Sequence, residues 1–299
     1  MQFPITYKNG NYLVVIQEDG TKIRTSVDSC FIPRYPESID LKITNWCDMN
    51  CPMCHEKSGK DGKHANLEEI ASLTRNLPEG IEFAIGGGDP LSHPDIVEFI
   101  CFLDSRGIIP NVTINSNNLS RYKNVIDNLI KHDKIKGIGV SYDIAIPLEA
   151  YWAANTYQNV VIHLILGIHT TKDLKEIFDN VSHAKVLILG YKKIGRGKDF
   201  YSPEVAKNIL GWYYRIHEFF GYKSKVIAFD NLSIEQLNLK RFFNEKNWNG
   251  FYQGNDGQFT FYVDLVKREY AISSTSGVSY SIEQDNTFES MFQNIRRKI

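Results

Sequence analysis

Short apolar runs recur along the chain, and the stretches between them place apolar residues at helical spacing. Runs such as Val160-Val161-Ile162 are almost continuously apolar, which is typical of parallel strands covered on both faces. Strands and helices that alternate in this way predict a parallel sheet of β/α units with right-handed crossovers. The predicted strands are Ile39–Thr44, Ile81–Gly86, Ile108–Asn115, Gly137–Ser141, Val160–Gly167 and Lys185–Leu189. Six such units predict a parallel barrel or partial barrel, in which the site lies at the C-terminal ends of the strands.

Helix starts and further elements can also be predicted from local signals. Capping patterns place helix starts near Asn66, Thr170 and Ser202. Outside the six units the predicted elements are a hairpin of Tyr12–Gln17 and Thr21–Ser26, a helix from Ser202 to about Phe220, a strand at Ser224–Phe229, a hairpin of Gln258–Val266 and Glu269–Ser273, and a helix at Phe288–Arg297.

We therefore expect an α/β protein in three parts. Residues 1–36 form an N-terminal β-hairpin extension, residues 37–200 form the β/α core, and residues 201–299 form a small α+β extension that covers the substrate site. The expected fold class is a partial (β/α)6 TIM-like barrel that carries these two additions.

Composition excludes several classes of function. The 299 residues are 42% hydrophobic and 23% charged with a net charge of −1, so bulk attraction to nucleic acid is disfavoured. The N-terminus has neither a basic region nor an apolar stretch of signal-peptide type, and no uncharged run approaches membrane-spanning length. Five cysteines, an odd number, argue against a disulfide framework and fit a reducing cytosol. We expect a cytoplasmic protein without a membrane partner.

Three of the five cysteines fall within eight residues, spaced C-x3-C-x2-C, directly after the first predicted core strand. Thiolates are the ligands of iron–sulfur clusters, and three ligands on a four-iron cluster leave one iron open for another ligand. A zinc site with His55 or His64 as the fourth ligand is the alternative, although the second ligand pair of a structural zinc site is missing.

A second chemical signal, Gly86-Gly87-Gly88-Asp89-Pro90, follows the second core strand. Consecutive glycines let the backbone approach a ligand closely, and a carboxylate beside them can accept hydrogen bonds from an ammonium group. The run therefore indicates a ligand-binding turn one β/α unit after the cysteines.

Over residues 38–198 the chain resembles the radical S-adenosylmethionine (radical SAM) superfamily, and the cysteine motif is the specific part of this resemblance. The resemblance implies that Cys47, Cys51 and Cys54 hold one 4Fe–4S cluster whose open iron is chelated by the methionine moiety of SAM. It further implies reductive cleavage of SAM to a 5′-deoxyadenosyl radical that abstracts hydrogen from a substrate. No catalytic residue is assigned beyond the cluster.

The resemblance also implies SAM-binding positions. They are Met53, Gly87, Gly88, Asp89, Asn115, Ser141, Asp143 and Arg196. Two of them depart from the family pattern: Asp89 stands where the family has a glutamate that holds the methionine amine, and Met53 stands at a position that is often aromatic and packs on adenine. Turn-forming asparagines and a helix-capping Asp143 are the alternatives for the third and fourth strand ends.

A third departure concerns a counter-charge. Many relatives carry an arginine after strand four, but no lysine or arginine occurs here between Lys136 and Lys172. Arg196 or Lys192, after strand six, could therefore serve SAM or an anionic substrate. His163 and His169, on or after strand five, are expected to be structural.

No cysteine follows residue 101, so a second cluster is not expected. The expected substrate is a peptide or protein, or a small anionic metabolite or nucleotide, and the expected reductant is a protein such as flavodoxin or ferredoxin. A non-catalytic iron–sulfur or zinc module on a barrel scaffold is the alternative function.

Overall fold

The structure is a computed structural model that describes residues 4–299, so the first three residues of the predicted N-terminal extension lie outside the described residues. The strands are β1 (Ile5–Asn9), β2 (Tyr12–Ile16), β3 (Lys22–Thr25), β4 (Ser38–Thr44), β5 (Glu82–Gly87), β6 (Ile109–Asn115), β7 (Gly137–Ser141), β8 (Val160–Ile165), β9 (Lys185–Leu189), β10 (Val226–Phe229), β11 (Thr260–Asp264), β12 (Glu269–Ala271) and β13 (Tyr280–Ser281). The α-helices are α1 (Ile70–Thr74), α2 (Ile96–Ser105), α3 (Leu119–Lys131), α4 (Pro147–Thr156), α5 (Thr171–Asn180), α6 (Arg196–Phe200), α7 (Pro203–Arg215), α8 (Asn231–Leu237), α9 (Glu245–Phe251) and α10 (Phe288–Arg296).

One large sheet organises the fold. Its strand order is β10-β9-β8-β7-β6-β5-β4-β11-β12-β13, and every pair from β10 to β11 is parallel. Strands β4 to β9 are the six strands predicted from the sequence, and they pair in the expected order. The mixed α/β architecture with a parallel sheet, open rather than closed among the described residues, confirms the predicted partial barrel.

The N-terminal sheet contains one strand more than predicted. Strands β2 and β3 form the predicted antiparallel hairpin, with Leu13 opposite Thr25. Strand β1 pairs with the other edge of β2, and its alternate residues Ile5, Tyr7 and Asn9 are buried. The period-2 alternation of β1 is therefore the signal that would have revealed it.

Strands from the C-terminal region join the core sheet. Strand β10 extends it beside β9, and β11 extends it beside β4, while β11 and β12 form the predicted hairpin. Sequence patterns carry no signal for such distant pairing. The division into three parts at residues 36/37 and 200/201 stays a prediction.

The helix starts were predicted correctly in two of three places. Thr170 and Asp173 form a capping box before α5, and the Ser202 hydroxyl accepts a hydrogen bond from the Val205 amide before α7. The capping box predicted at Asn66 is wrong, because the Asn66 side chain instead accepts from the amide of Glu68 at 2.9 Å. The short helix α1 begins only at Ile70 and has no side-chain cap.

The core strands have two different faces. Residues such as Val140 and Ile162 are fully buried in one core together with helix residues, whereas the alternate residues, such as Ser141 and His163, are only half-buried. This second face, here called the concave face, is the inner side of the partial barrel, and side chains such as Ser141 and His163 remain partly accessible on it. None of the described helices is long and apolar enough to cross a membrane.

Candidate functional site

The cysteine loop, residues 47–54, leaves the C-terminal end of β4. Its three cysteines are half-buried and free. The Cys47 amide donates to the Gly59 carbonyl at 3.0 Å, which anchors the start of the loop, and the Cys54 amide donates to the Cys51 carbonyl at 3.2 Å, which forms a turn within it. Asn50 takes a left-handed conformation with φ 47°, which turns the chain between the first and second cysteines.

A second loop, residues 190–197 after β9, braces the cysteine loop. The Arg196 guanidinium donates to the carbonyls of Cys51 at 3.0 Å and Ser58 at 2.9 Å, and its amide donates to the Cys54 carbonyl at 3.0 Å. A Cβ on Gly195 would lie 2.1 Å from the His55 carbonyl oxygen, so only glycine permits this approach. Arg196 thus contacts backbone carbonyls of the loop, and its contact with SAM stays a prediction.

The arrangement of the three thiols does not suit a single metal ion. Among residues 4–299 no group of three histidine, cysteine or acidic side chains is placed to hold one ion. A tetrahedral zinc site would draw its sulfurs to about 2.3 Å from a common centre, whereas a four-iron cluster spreads three cysteines over three irons. Burial raises the pKa of the Cys47 and Cys51 thiols, and a bound metal would offset this by stabilising the thiolate form.

The glycines after β5 lie directly against the base of the cysteine loop. A Cβ on Gly87, which has φ 116°, would lie 2.3 Å from the Thr44 carbonyl oxygen, and one on Gly88 would lie 2.1 Å from that of Trp46. The Asp89 amide donates to the Trp46 carbonyl at 2.8 Å. The glycine run therefore places Asp89 beside the cysteines.

Asp89 is 3% exposed, and its two carboxylate oxygens have different surroundings. One oxygen accepts hydrogen bonds from Asn118 Nδ2 and the Tyr122 hydroxyl, both at 2.9 Å. The other oxygen, Oδ1, is buried and has no partner among the described residues. Desolvation raises the pKa of Asp89, which an incoming ammonium group would offset. The residues present thus fit the methionine amine of SAM.

Sequence reasoning missed the support of Asp89 by α3. Asn118, Arg121 and Tyr122 share one helical face at i, i+3 and i+4. Arg121 forms an ion pair of 2.6 Å with Asp48 of the cysteine loop and holds the pKa of that carboxyl below its usual value. The spacing of these polar residues at the start of α3 is the signal that could have revealed them.

The predicted SAM contacts on the third and fourth core strands come together. Asn115 and Ser141 are paired in register, and Ser141 is in turn beside His163. Asn117 links Asn115 to Asp143, because its side-chain amide donates to both, at 2.9 and 2.6 Å. The Ser141 hydroxyl makes no hydrogen bond within the described part of the chain. Predicted residues from two strand ends therefore form one polar edge of the concave face.

Met53 lies apart from this edge, in a small cleft. The cleft has a volume of about 50 Å³ and is lined by Met53 together with Ile165, Leu189 and Tyr191. Its lining is mostly apolar, which suits the face of a purine ring.

A charged network connects the cysteine loop with the C-terminal strands. Lys42, which is 2% exposed, contacts Glu56 at 2.5 Å and Asp264 at 2.9 Å. Lys192 Nζ donates to the Ser274 hydroxyl at 2.8 Å and lies 3.3 Å from His55 Nε2. The network borders a polar cavity of about 400 Å³.

The two histidines of the fifth unit differ. Both ring nitrogens of His169 are hydrogen bonded, to the Ile165 amide at 2.8 Å and to the Tyr142 carbonyl at 3.2 Å, which agrees with a structural role. His163 makes no such bond and lies on the concave face over Gly139, where a Cβ would be 2.3 Å from its Cε1.

The family model described as the radical SAM superfamily matches residues 41–191, about half of the chain. The 7,8-dihydro-6-hydroxymethylpterin dimethyltransferase of Methanocaldococcus jannaschii is 30% identical over 111 residues, which cover 34% of this chain. The match spans 21% of that protein, so its activity as a whole does not transfer to this chain.

Solved structures of SuiB from Streptococcus suis have a similar fold. The structure bound to S-adenosylmethionine has a TM-score of 0.62 at 10% identity, covering 91% of this chain and 82% of SuiB. The structure bound to the precursor peptide SuiA has a TM-score of 0.58 at 13% identity, covering 85% and 64%. At such identities the likeness concerns the fold.

Proposed function

The chain belongs to the radical SAM superfamily, and we propose that the cysteine loop, Asp89 and the concave face form the site at which this enzyme cleaves SAM and activates its substrate. The cofactors of the family are a 4Fe–4S cluster and SAM, and the chain is therefore an enzyme rather than a non-catalytic module. When bound together, these cofactors supply a 5′-deoxyadenosyl radical that abstracts hydrogen from the substrate.

Within this proposal, the thiolates of Cys47, Cys51 and Cys54 hold the cluster. The half-buried position of the three thiols in one loop supports the assignment. Arg196 acts as a positioning residue, because its guanidinium donates to the carbonyls of Cys51 and Ser58 and so restrains the cysteine loop.

The observation that carries the proposal is the buried Asp89 Oδ1 without a partner. Leaving a buried acceptor unpaired costs about 1–3 kcal/mol, so the position is best explained by a ligand that donates to it. The ammonium group of SAM's methionine would satisfy this oxygen. Gly87 and Gly88 let the turn pack directly against the carbonyls of Thr44 and Trp46, which brings Asp89 close to the cysteine loop.

The remaining predicted residues would orient SAM. Asn115 and Ser141 on the polar edge would contact its methionyl or ribose groups, and the hydrogen bond from Asn117 to Asp143 at the same edge supports a role for Asp143. Met53 in its apolar cleft would pack on adenine.

For the substrate we propose a peptide or protein. SuiB, whose fold is similar, has been solved with a precursor peptide. The two cations that suggested an anionic metabolite are both engaged, Arg196 with loop carbonyls and Lys192 with Ser274 and His55. A small anionic metabolite or nucleotide is therefore the second candidate.

The test is anaerobic reconstitution with iron and sulfide, followed by dithionite and SAM. We expect about four irons per chain and release of 5′-deoxyadenosine. In Cys51→Ala we expect loss of the cluster absorbance and of 5′-deoxyadenosine, with the circular dichroism of the fold retained. The exposed Cys30 provides the matched control, and Cys30→Ala keeps both signals. A full 4Fe–4S spectrum in Cys51→Ala would refute the ligand assignment.

A further inference from the structure

Strand β7 has no side chain on the concave face at two alternate positions, Gly137 and Gly139, here called the glycine strip. Polar side chains from both neighbouring strands lean over it. A Cβ on Gly139 would lie 2.7 Å from His163 Nε2 and 3.0 Å from Thr113 Oγ1, and one on Gly137 would lie 2.8 Å from Asn111 Oδ1. The strip therefore lets side chains of β6 and β8 approach one another across β7.

The three side chains that lean over the strip have no hydrogen-bond partner in the protein. Within residues 4–299 no hydrogen bond reaches the His163 ring, the Thr113 hydroxyl or the Asn111 side-chain amide, and all three remain partly accessible. Each of them can both donate and accept. By contrast, both ring nitrogens of His169 are bonded to the backbone. The hydrogen-bonding capacity over the strip is therefore open to a ligand.

The surroundings of this group are uncharged. Strands β6, β7 and β8 contain no acidic or basic residue other than His163. Burial lowers the pKa of His163 to about 4, and no charged group of the described residues contributes to this shift, so the ring is neutral at pH 7. A charged ligand group would lose hydration here without gaining a counter-charge. The strip thus favours a neutral ligand group.

The glycine strip lies directly below the polar edge that is predicted to contact SAM. Thr113 precedes Asn115 by two residues on β6, and Gly139 precedes Ser141 by two on β7, so each pair shares the concave face. His163 is paired in register with Ser141. A ligand over the strip would therefore be adjacent to SAM on the inner side of the barrel.

We propose that Asn111, Thr113 and His163 bind an uncharged amide group of the substrate over the glycine strip. The inference rests on the proposed function, because it takes the concave face as the place where the substrate meets the radical. An amide has a carbonyl that accepts and an N–H that donates, which matches the mixed capacity of the three side chains. An apolar group that expelled water from them would leave them unpaired, which is costly.

The experiment measures binding to the reconstituted protein by saturation-transfer NMR under anaerobic conditions. The probes are N-methylacetamide, which has a peptide-type amide, propionamide, which has a side-chain-type amide, and propionate as the charged counterpart of propionamide. We expect saturable binding of the amides and none of propionate. Tighter binding of N-methylacetamide identifies a peptide bond as the source of the amide, and tighter binding of propionamide identifies an asparagine or glutamine side chain.

The variants separate the polar groups from the shape of the site. His163→Phe keeps a planar ring and removes both nitrogens, so the dissociation constant of the tighter amide should rise roughly fivefold or more. Thr113→Val removes the hydroxyl with little change of shape and should cause a smaller rise. Gly139→Ala keeps every polar group, but its methyl group would displace the His163 ring, so binding should weaken as well. His183→Phe, a matched change of an exposed histidine, should bind like the wild type.

Failure of both amides to bind the wild type, equal amide affinity in wild type and His163→Phe, or equal binding of propionate and propionamide overturns the inference. Circular dichroism checks the fold of each variant, and His163→Leu replaces His163→Phe if the latter does not fold. Release of 5′-deoxyadenosine by the wild type is scored separately. If SAM is cleaved and the amides do not bind, the inference fails and the proposed function stands; if the amides bind and SAM is not cleaved, the reverse holds.

Discussion

At the scale of single residues, Asp89 has one carboxylate oxygen that the protein itself hydrogen bonds and a second that we propose for the ligand. Asn118 and Tyr122 hold one oxygen of the Asp89 carboxylate, so the orientation of the second oxygen is fixed as well. Pre-set geometry of this kind lowers the cost of binding. The aspartate is shorter than the family's glutamate, and the two donors from α3 compensate by holding it in place.

Asp89→Asn should weaken SAM binding. The substitution removes the charge that faces the ammonium group, and charge-assisted hydrogen bonds contribute about 1.5–3 kcal/mol, so the dissociation constant should rise roughly 10- to 100-fold. Anaerobic equilibrium dialysis with labelled SAM measures it. Tyr122→Phe should cause a smaller rise, because the second donor Asn118 remains. An unchanged dissociation constant in Asp89→Asn would exclude the contact.

His163 should make stability depend on pH. Its folded pKa of about 4 lies below the usual 6.5, so only the unfolded chain takes up the proton as pH falls below 6.5. The contribution of the neutral His163 to the free energy of unfolding is therefore complete above pH 6.5 and is lost progressively as the pH falls from 6.5 towards 4. The melting temperature should therefore fall less between pH 7.5 and 5.5 in His163→Gln than in the wild type. Identical slopes for the two proteins would contradict this.

At the scale of elements, the two loops after β4 and β9 form one unit. Gly195 and Gly197 let the second loop approach the backbone of the first, and Arg196 closes the contact. The unit is held mainly by donors to backbone carbonyls.

Arg196→Ala should loosen the cysteine loop and speed cluster loss. Two carbonyls lose their donors, so the loop samples more conformations, and the absorbance of the reconstituted cluster should decay several-fold faster in the presence of a chelator. Lys198→Ala, an exposed cation two residues later, is the matched control and should decay like the wild type. Equal decay in both variants would mean that Arg196 has no bracing role.

The elements that could be predicted are those whose signals are local. Gly137–Ser141 and Lys185–Leu189 were predicted to the residue, because turn residues and helical patterns border these apolar runs. The sequence also predicted that the glycine run follows the strand beside the cysteine loop, whereas the roles of the cysteines and of Asp89 stay predictions. The pairing of β11 with β4 and the contacts of Arg196 were not, because they depend on which distant segments meet in space.

At the scale of the whole molecule, the buried ion network around Lys42 joins β4, the cysteine loop and β11. Burial alone would raise the pKa of Glu56, but His55 and Lys42 hold it below its usual value. The network thus keeps the segment after the cysteines charged and attached to two neighbouring strands.

Lys42→Met should destabilise the fold strongly, by about 3–5 kcal/mol, because it leaves two buried carboxylates without a cation. Urea unfolding measures the loss. Adding Glu56→Gln and Asp264→Asn should recover much of it, since the uncompensated charges disappear. Lys123→Met, which breaks an exposed pair with Asp127, should cost no more than about 1 kcal/mol. A Lys42→Met variant as stable as Lys123→Met would show that the network does not hold the fold.

The pairing of β4 with β11 also has a consequence for synthesis. On the ribosome, β4 and the cysteines that follow it emerge long before Thr260, and at roughly 5–20 residues per second the delay is on the order of ten seconds or more. During that time one edge of β4 is unpaired and can pair with strands of other nascent chains, and Lys42 has not yet formed its ion pair with Asp264. Iron–sulfur assembly factors that bind the nascent chain would therefore encounter the three thiols before β11 has paired with β4.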